Sequence, residues 1–88
     1  MNKARRQQIE DIKARIAILL TQAETIKCGI ELICSEEQDY RDSMPDSIAE
    51  GEKGQKSDAA IEALEQVIED LESLIETDFI AQLDIACQ

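Results

Sequence analysis

Apolar residues fall along this chain in two long stretches with a helical beat. In the first, Ile9, Ile12, Ile16, Leu19, Ala23, Ile26, Ile30 and Ile33 recur at alternating steps of three and four. That spacing places all of them on one stripe of an α-helix, in the seven-residue pattern of a coiled-coil seam. Glu37 interrupts the seam, and Tyr40 stands where the next apolar residue is due. In the second stretch Ile61, Leu64, Ile68, Leu71 and Ile75 keep the same rhythm, and Val67 and Leu74 widen it toward the face of a bundle helix. The pattern predicts one helix over about 3–40 and another over about 57–85.

Between them, residues 41–56 form the only turn-rich segment. Pro45 disfavours a helical conformation at Met44 and so ends the first helix. Ser47 and Glu50 have the spacing of a capping box, so a short helical turn can start there. Gly51 and Gly54 punctuate the loop, and Ser57 or Asp58 can cap the second helix, unless the glycines are absorbed into an earlier start. A loop of this length lets the helices return antiparallel. The expectation is an all-α fold, one domain over 1–88: a two-helix hairpin with Ile33 near Ile61 and Ile12 near Leu83. Lys13, Arg15 and Lys27 then flank the seam, within reach of Glu65, Glu69, Glu72 or Glu76, where they would choose register more than provide stability.

A lone hairpin of 88 residues is thin. Ala14, Ala17, Ile18, Leu20, Thr21, Cys28 and Leu32 lie off the first helix's main seam, and one partner helix cannot cover both sets. Ile18, Leu20 and Leu32 are therefore the expected self-association residues, in a homodimeric four-helix bundle or a higher oligomer. Asp78 and Gln82 fall on the expected core stripe of the second helix. Either they set register as buried polar groups, or a stutter moves Phe79 and Leu83 onto the seam.

Charge changes the picture. Twenty acidic residues face nine basic ones, a formal net of −11, and no Lys or Arg follows Lys56. Such a chain is repelled by nucleic-acid phosphates and by anionic membranes, and its natural partner is a basic protein surface. Glu62, Glu65, Glu69, Glu72 and Glu76 form a ridge beside the apolar stripe of the second helix. Like charges three and four apart on one helix repel, so helix stability alone does not favour the arrangement. Carboxylates rising roughly 4.5–6 Å per step come close to the phosphate spacing of a nucleic-acid strand. The ridge is the candidate partner-binding surface; the alternative is a solvated flank whose charges pair with the first helix.

Chemistry is poorly served. The chain has no histidine, no Gly-rich phosphate loop and no nucleophile with an activating neighbour, so no enzyme activity is expected. Cys28, Cys34 and Cys87 have no C-x-x-C spacing and read as free thiols. Asp39, Asp42, Asp46, Glu50 and Glu52 crowd the turn without the spacing of a calcium loop, so neither a metal nor a cofactor is expected. A weaker candidate is a small-ligand site at Tyr40, Arg41, Lys53 and Lys56. Lys3, Arg5, Arg6, Lys13 and Arg15 make a basic N-terminal end, but it has no stacking aromatics and would lie beside the acid-rich end of the second helix. The longest apolar run, Ile16–Leu20, is too short to cross a membrane, and a cytoplasmic protein is expected.

The segment from Glu36-Glu-Gln-Asp-Tyr through Ser-Met-Pro-Asp to Lys56, leading into Ile61-Glu-Ala-Leu-Glu, resembles a group of small acidic proteins of bacteria, prophages and phages. The resemblance covers residues 36–76, and its most specific part is the spacing from Tyr40 to Pro45. It implies a mobile-element context and a helical hairpin, but no activity. Together with the acidic ridge, the expectation is a non-enzymatic interaction module that binds a host protein through that phosphate-mimicking helix face and, in its sharper form, inhibits a nucleic-acid-handling or defence factor. The alternative is a self-assembling structural or adaptor bundle.

Overall fold

The computed structural model describes residues 1–88 and is all-helical. Helix α1 spans Lys3–Asp42, α2 Asp46–Ala49, α3 Glu52–Glu76 and α4 Phe79–Ala86. The molecule is a rod of 68 × 16 × 14 Å.

Local chemistry sets each boundary. The Asn2 side chain accepts from the Arg5 amide at 2.8 Å and caps α1. At the other end the Ser43 hydroxyl donates to the Asp39 carbonyl at 2.8 Å. Pro45 then starts a new turn: its carbonyl accepts from Ile48 and Ala49 at 2.9 and 2.8 Å. The short turn forms where expected, although Pro45 rather than Ser47 precedes it and no side chain caps it. Helix α3 begins at Glu52, several residues before Ser57, and absorbs Gly54. That glycine is required. A Cβ built on it would sit 1.9 Å from the Ala49 carbonyl oxygen, so only glycine lets α2 lie this close against α3.

The second predicted helix is two helices. It breaks at Thr77, and the Asp78 side chain accepts from the Ala81 amide at 3.0 Å to cap α4. Asp78 is neither a buried register residue nor part of a continuous stutter; Gln82 is exposed, and Phe79, Ile80 and Leu83 are half-buried.

Cross-chain bonds define the direction of the return. Arg41 reaches Asp58, Glu37 meets Ser57, Lys27 reaches Glu72 and Lys13 reaches Asp84. As α1 is followed backwards, its partners advance along α3 and α4. The interior is slight: Ala23, Gly54, Ser57 and Ile61 are the buried residues.

Candidate interaction surfaces

Two surfaces of this rod can do work, and both follow from which stripe of α1 meets α3. The covered positions of α1 are Ile9, Lys13, Ile16, Leu20, Ala23, Lys27, Ile30, Cys34, Glu37 and Arg41. They share Ile9, Ile16, Ala23 and Ile30 with the expected seam, then depart from it. Ile12, Leu19, Ile26, Ile33 and Tyr40 were expected to face the second helix. They are instead 45%, 48%, 54%, 53% and 54% exposed. The place of that column is taken by Lys13, Leu20, Lys27, Cys34 and Arg41, one residue further along.

Electrostatics explains the rotation. Lys13, Lys27 and Arg41 are fourteen residues apart, so they lie in one column, and each finds a carboxylate on the returning arm. Arg41 grips Asp58 with two bonds, Nε to Oδ1 at 2.8 Å and Nη2 to Oδ2 at 3.3 Å. The hydrogen bond from Arg41 holds the Asp58 carboxyl below its ordinary value of 3.8, and Arg41 itself is raised. Lys13 and Lys27 are both raised above 10.5, chiefly by hydrogen bonds to Asp84 and Glu72, against a smaller desolvation effect. Lys27 lies 3.3 Å from Glu72. Between the clasps, the buried Ser57 hydroxyl donates to Glu37 at 2.7 Å, which satisfies the carboxylate that interrupts the apolar seam.

The acidic ridge is accordingly split. Glu72 is half-buried and engaged with Lys27, whereas Glu62, Glu65, Glu69 and Glu76 are exposed and have no cation within 4.0 Å. The ridge flanks the apolar stripe of α3 rather than opposing it. Asp58 and Asp84 join Glu72 in meeting α1, two acidic residues that the ridge expectation did not single out as partners of the first helix.

The second surface is the bare side of α1. Ile18 and Leu32, the expected self-association residues, are 59% and 61% exposed, and they share this side with Ile12, Leu19, Ile26 and Ile33. Leu20 does not belong with them: it is half-buried in the column of Lys13 and Lys27, on the covered side. Arg15 points to no carboxylate within 4.0 Å and sits on the bare side as well.

The turn gathers no comparable site. Tyr40 and Lys53 share a shallow groove of about 180 Å³ with Ser43, Met44, Pro45 and Ile48, but Arg41 is turned to Asp58 and Lys56 pairs with Glu52. That volume is below the range of small-molecule pockets, roughly 300 Å³ upward. Cys28, Cys34 and Cys87 are free thiols, no three metal-ligating side chains converge, and no helix is long and apolar enough to cross a membrane. Compared with protein-family models, with characterised proteins and with solved structures, the chain finds no match.

Proposed function

We propose that this chain is a non-enzymatic protein–protein interaction module: an antiparallel helical hairpin that self-assembles through the bare side of α1. One observation carries the reading. Seven large side chains (Ile12, Ile18, Leu19, Ile26, Leu32, Ile33 and Tyr40) lie at helical spacing on one side of α1, each 45–61% exposed. Half of seven such side chains amounts to several hundred Å² of apolar surface, the scale at which a patch on a small protein marks an interface. The hairpin itself has too little interior to make that exposure incidental. Light scattering at tens of micromolar tests it: a mass of at least twice 9.9 kDa is expected, and 9.9 kDa would refute self-assembly.

A second reading concerns what the assembly binds. Glu62, Glu65, Glu69 and Glu76 are free of cations, while Asp58, Glu72 and Asp84 are engaged, so the free four are available to a basic protein. With the mobile-element resemblance of residues 36–76, this favours a host nucleic-acid-handling or defence protein in the cytoplasm as partner and inhibition as the consequence. Capture from host lysate, comparing wild type with a variant carrying glutamine at those four positions, decides it. A basic nucleic-acid-handling protein held only by the wild type supports the acidic contact. Equal or empty captures leave a structural bundle whose acidity serves solubility.

A further inference from the structure

The bare side of α1 has an order that an incidental apolar patch would lack. Counted in sevens, it comprises three columns, one through Ile12, Leu19, Ile26, Ile33 and Tyr40, one through Ile18 and Leu32, and between them one through Arg15, Gln22, Gly29 and Glu36. All of these residues are exposed. The middle column lies roughly 130° around the helix from the side that α3 covers, at about 100° per residue. The two surfaces therefore do not compete.

The central part of these columns, residues 15–36, is complementary about the point between Thr25 and Ile26. Reflecting the chain through it exchanges Ile18 with Ile33, Leu19 with Leu32, Gln22 with Gly29 and Arg15 with Glu36. Four apolar positions thus exchange among themselves, a long side chain maps onto the one residue with none, and a cation maps onto a carboxylate, while Ile26 faces Thr25 at the centre and the outer Ile12 and Tyr40 fall opposite Asp39 and Asp11. Residues 3–22 carry five basic and two acidic side chains, and residues 23–42 carry two basic and six acidic. An antiparallel second copy sets each half against its opposite. A parallel copy sets Arg15 against Arg15 and Glu36 against Glu36.

Gly29 agrees. It lies mid-helix, where glycine is disfavoured relative to alanine, and a Cβ there would meet nothing within 4 Å on its own chain. Close approach of a second helix is a use for it that the single chain does not supply. The N-terminal cations agree too: Lys3, Arg5, Arg6 and Arg15 have no carboxylate within 4.0 Å. The same reflection carries Arg5 onto Asp46, at the partner's turn.

We infer that the bare side of α1 is the interface of a two-fold symmetric, antiparallel dimer of this chain, with its axis between Thr25 and Ile26 and with Arg15 paired to Glu36 of the second copy. The inference rests on the self-assembly reading above and adds its occupant, direction and register. The two α1 helices form the centre of the dimer, with α3 and α4 of each copy on the flanks. The two-fold makes every contact occur twice, so one designed change acts at two places.

The test uses the full chain with Cys28, Cys34 and Cys87 changed to serine. Thr25→Cys, beside the axis, is expected to form a disulfide-linked dimer on oxidation. Ile12→Cys is expected not to, because the two copies of residue 12 would lie about 40 Å apart at 1.5 Å per residue. In the parent sequence, Arg15→Glu and Glu36→Arg should each weaken the dimer on the order of tenfold at low salt, and the exchange carrying both should restore it. Circular dichroism of each variant checks that the helices persist. Self-linking through Ile12→Cys would overturn the antiparallel direction. An exchange variant as weak as its single parents would overturn the register. Either of these leaves self-assembly standing, whereas a wild-type monomer at 100 micromolar would overturn both.

Discussion

The two sides of α1 invert the usual relation between burial and hydrophobicity. The side that α3 covers alternates apolar residues with Lys13, Lys27, Arg41 and Glu37, and it includes the small Ala23 and Cys34. The bare side carries the chain's longest unbroken column of large apolar residues, from Ile12 to Ile33 and on to Tyr40. A hairpin stabilised only by its own packing would be arranged the other way, since large apolar side chains gain most from burial. The covered side is built for register: three cations at fourteen-residue intervals meet Asp84, Glu72 and Asp58, and a wrong offset would lose all three together. The bare side is the one to which we assign affinity for a second copy. On the self-assembly proposed above, register within the chain and adhesion between copies fall to two columns one residue apart.

The largest effect should come from charging the bare side. Leu19→Lys together with Ile26→Lys would place four charges in the proposed dimer, because each copy contributes two. Sedimentation should show at least a hundredfold weaker association, while the monomer keeps its α1–α3 contacts. If the same pair unfolded the monomer and left any residual dimer equally tight, the assignment of the two sides would be reversed.

Next come changes at the turn end of the covered side, where packing is tightest. Ile61→Ala removes a side chain that is 8% exposed and should cost about 2–4 kcal/mol in denaturant unfolding. Gly54→Ala forces the Ala49 backbone away from α3 and should cost about 1–3 kcal/mol, with α2 losing its protection against amide exchange before the rest. Neither change touches the bare side. Once stability is matched by temperature, dimer affinity should be unchanged.

The smallest effect is a pH dependence confined to the clasps. Asp58 has a folded value depressed below 3.8 by the bond from Arg41. Its contribution is complete above that ordinary value and is lost as pH falls through the depressed one. The urea midpoints of wild type and Asp58→Asn should therefore differ at pH 6 and converge as pH falls through the depressed folded value. Lys27 behaves in the opposite sense: its folded value lies above 10.5, so its contribution is complete below 10.5 and lost only as pH rises through the folded value. A midpoint difference that persisted unchanged at acid pH would separate Asp58 from the register role given to it here.

Much of the fold is legible in the sequence because seven-residue spacing is a direct statement of helix geometry. The all-helical class and the α3 stripe of Ile61, Leu64, Ile68, Leu71 and Ile75 follow from it, and the turn follows from Pro45. The side of α1 facing α3 does not. Ile9, Ile16, Ala23 and Ile30 belong equally to the column pair with Ile12 and to the pair with Lys13, so hydrophobicity alone selects the wrong neighbour. The deciding signal was the fourteen-residue spacing of Lys13, Lys27 and Arg41, whose meaning depends on carboxylates more than a dozen residues away in sequence. The break at Thr77 is hidden because Asp78 stands on an apolar stripe, where an interruption and a cap for Phe79 onward look alike in sequence. For the interaction surfaces, Ile18 and Leu32 were readable as unpartnered, Leu20 was misplaced with its column, and the engagement of Glu72 followed from the same register that moved Ile12 into solvent.

The most direct measurement is an isotope-filtered NMR experiment on a dimer mixed from labelled and unlabelled chains. Contacts between copies should run from the Ile18 and Leu19 methyl groups of one chain to those of Leu32 and Ile33 of the other, and none should link Ile12 to Ile12. Contacts between copies that instead involve the methyl groups of Ile16, Ile30 or Ile61, with the bare side of α1 silent, would contradict the account.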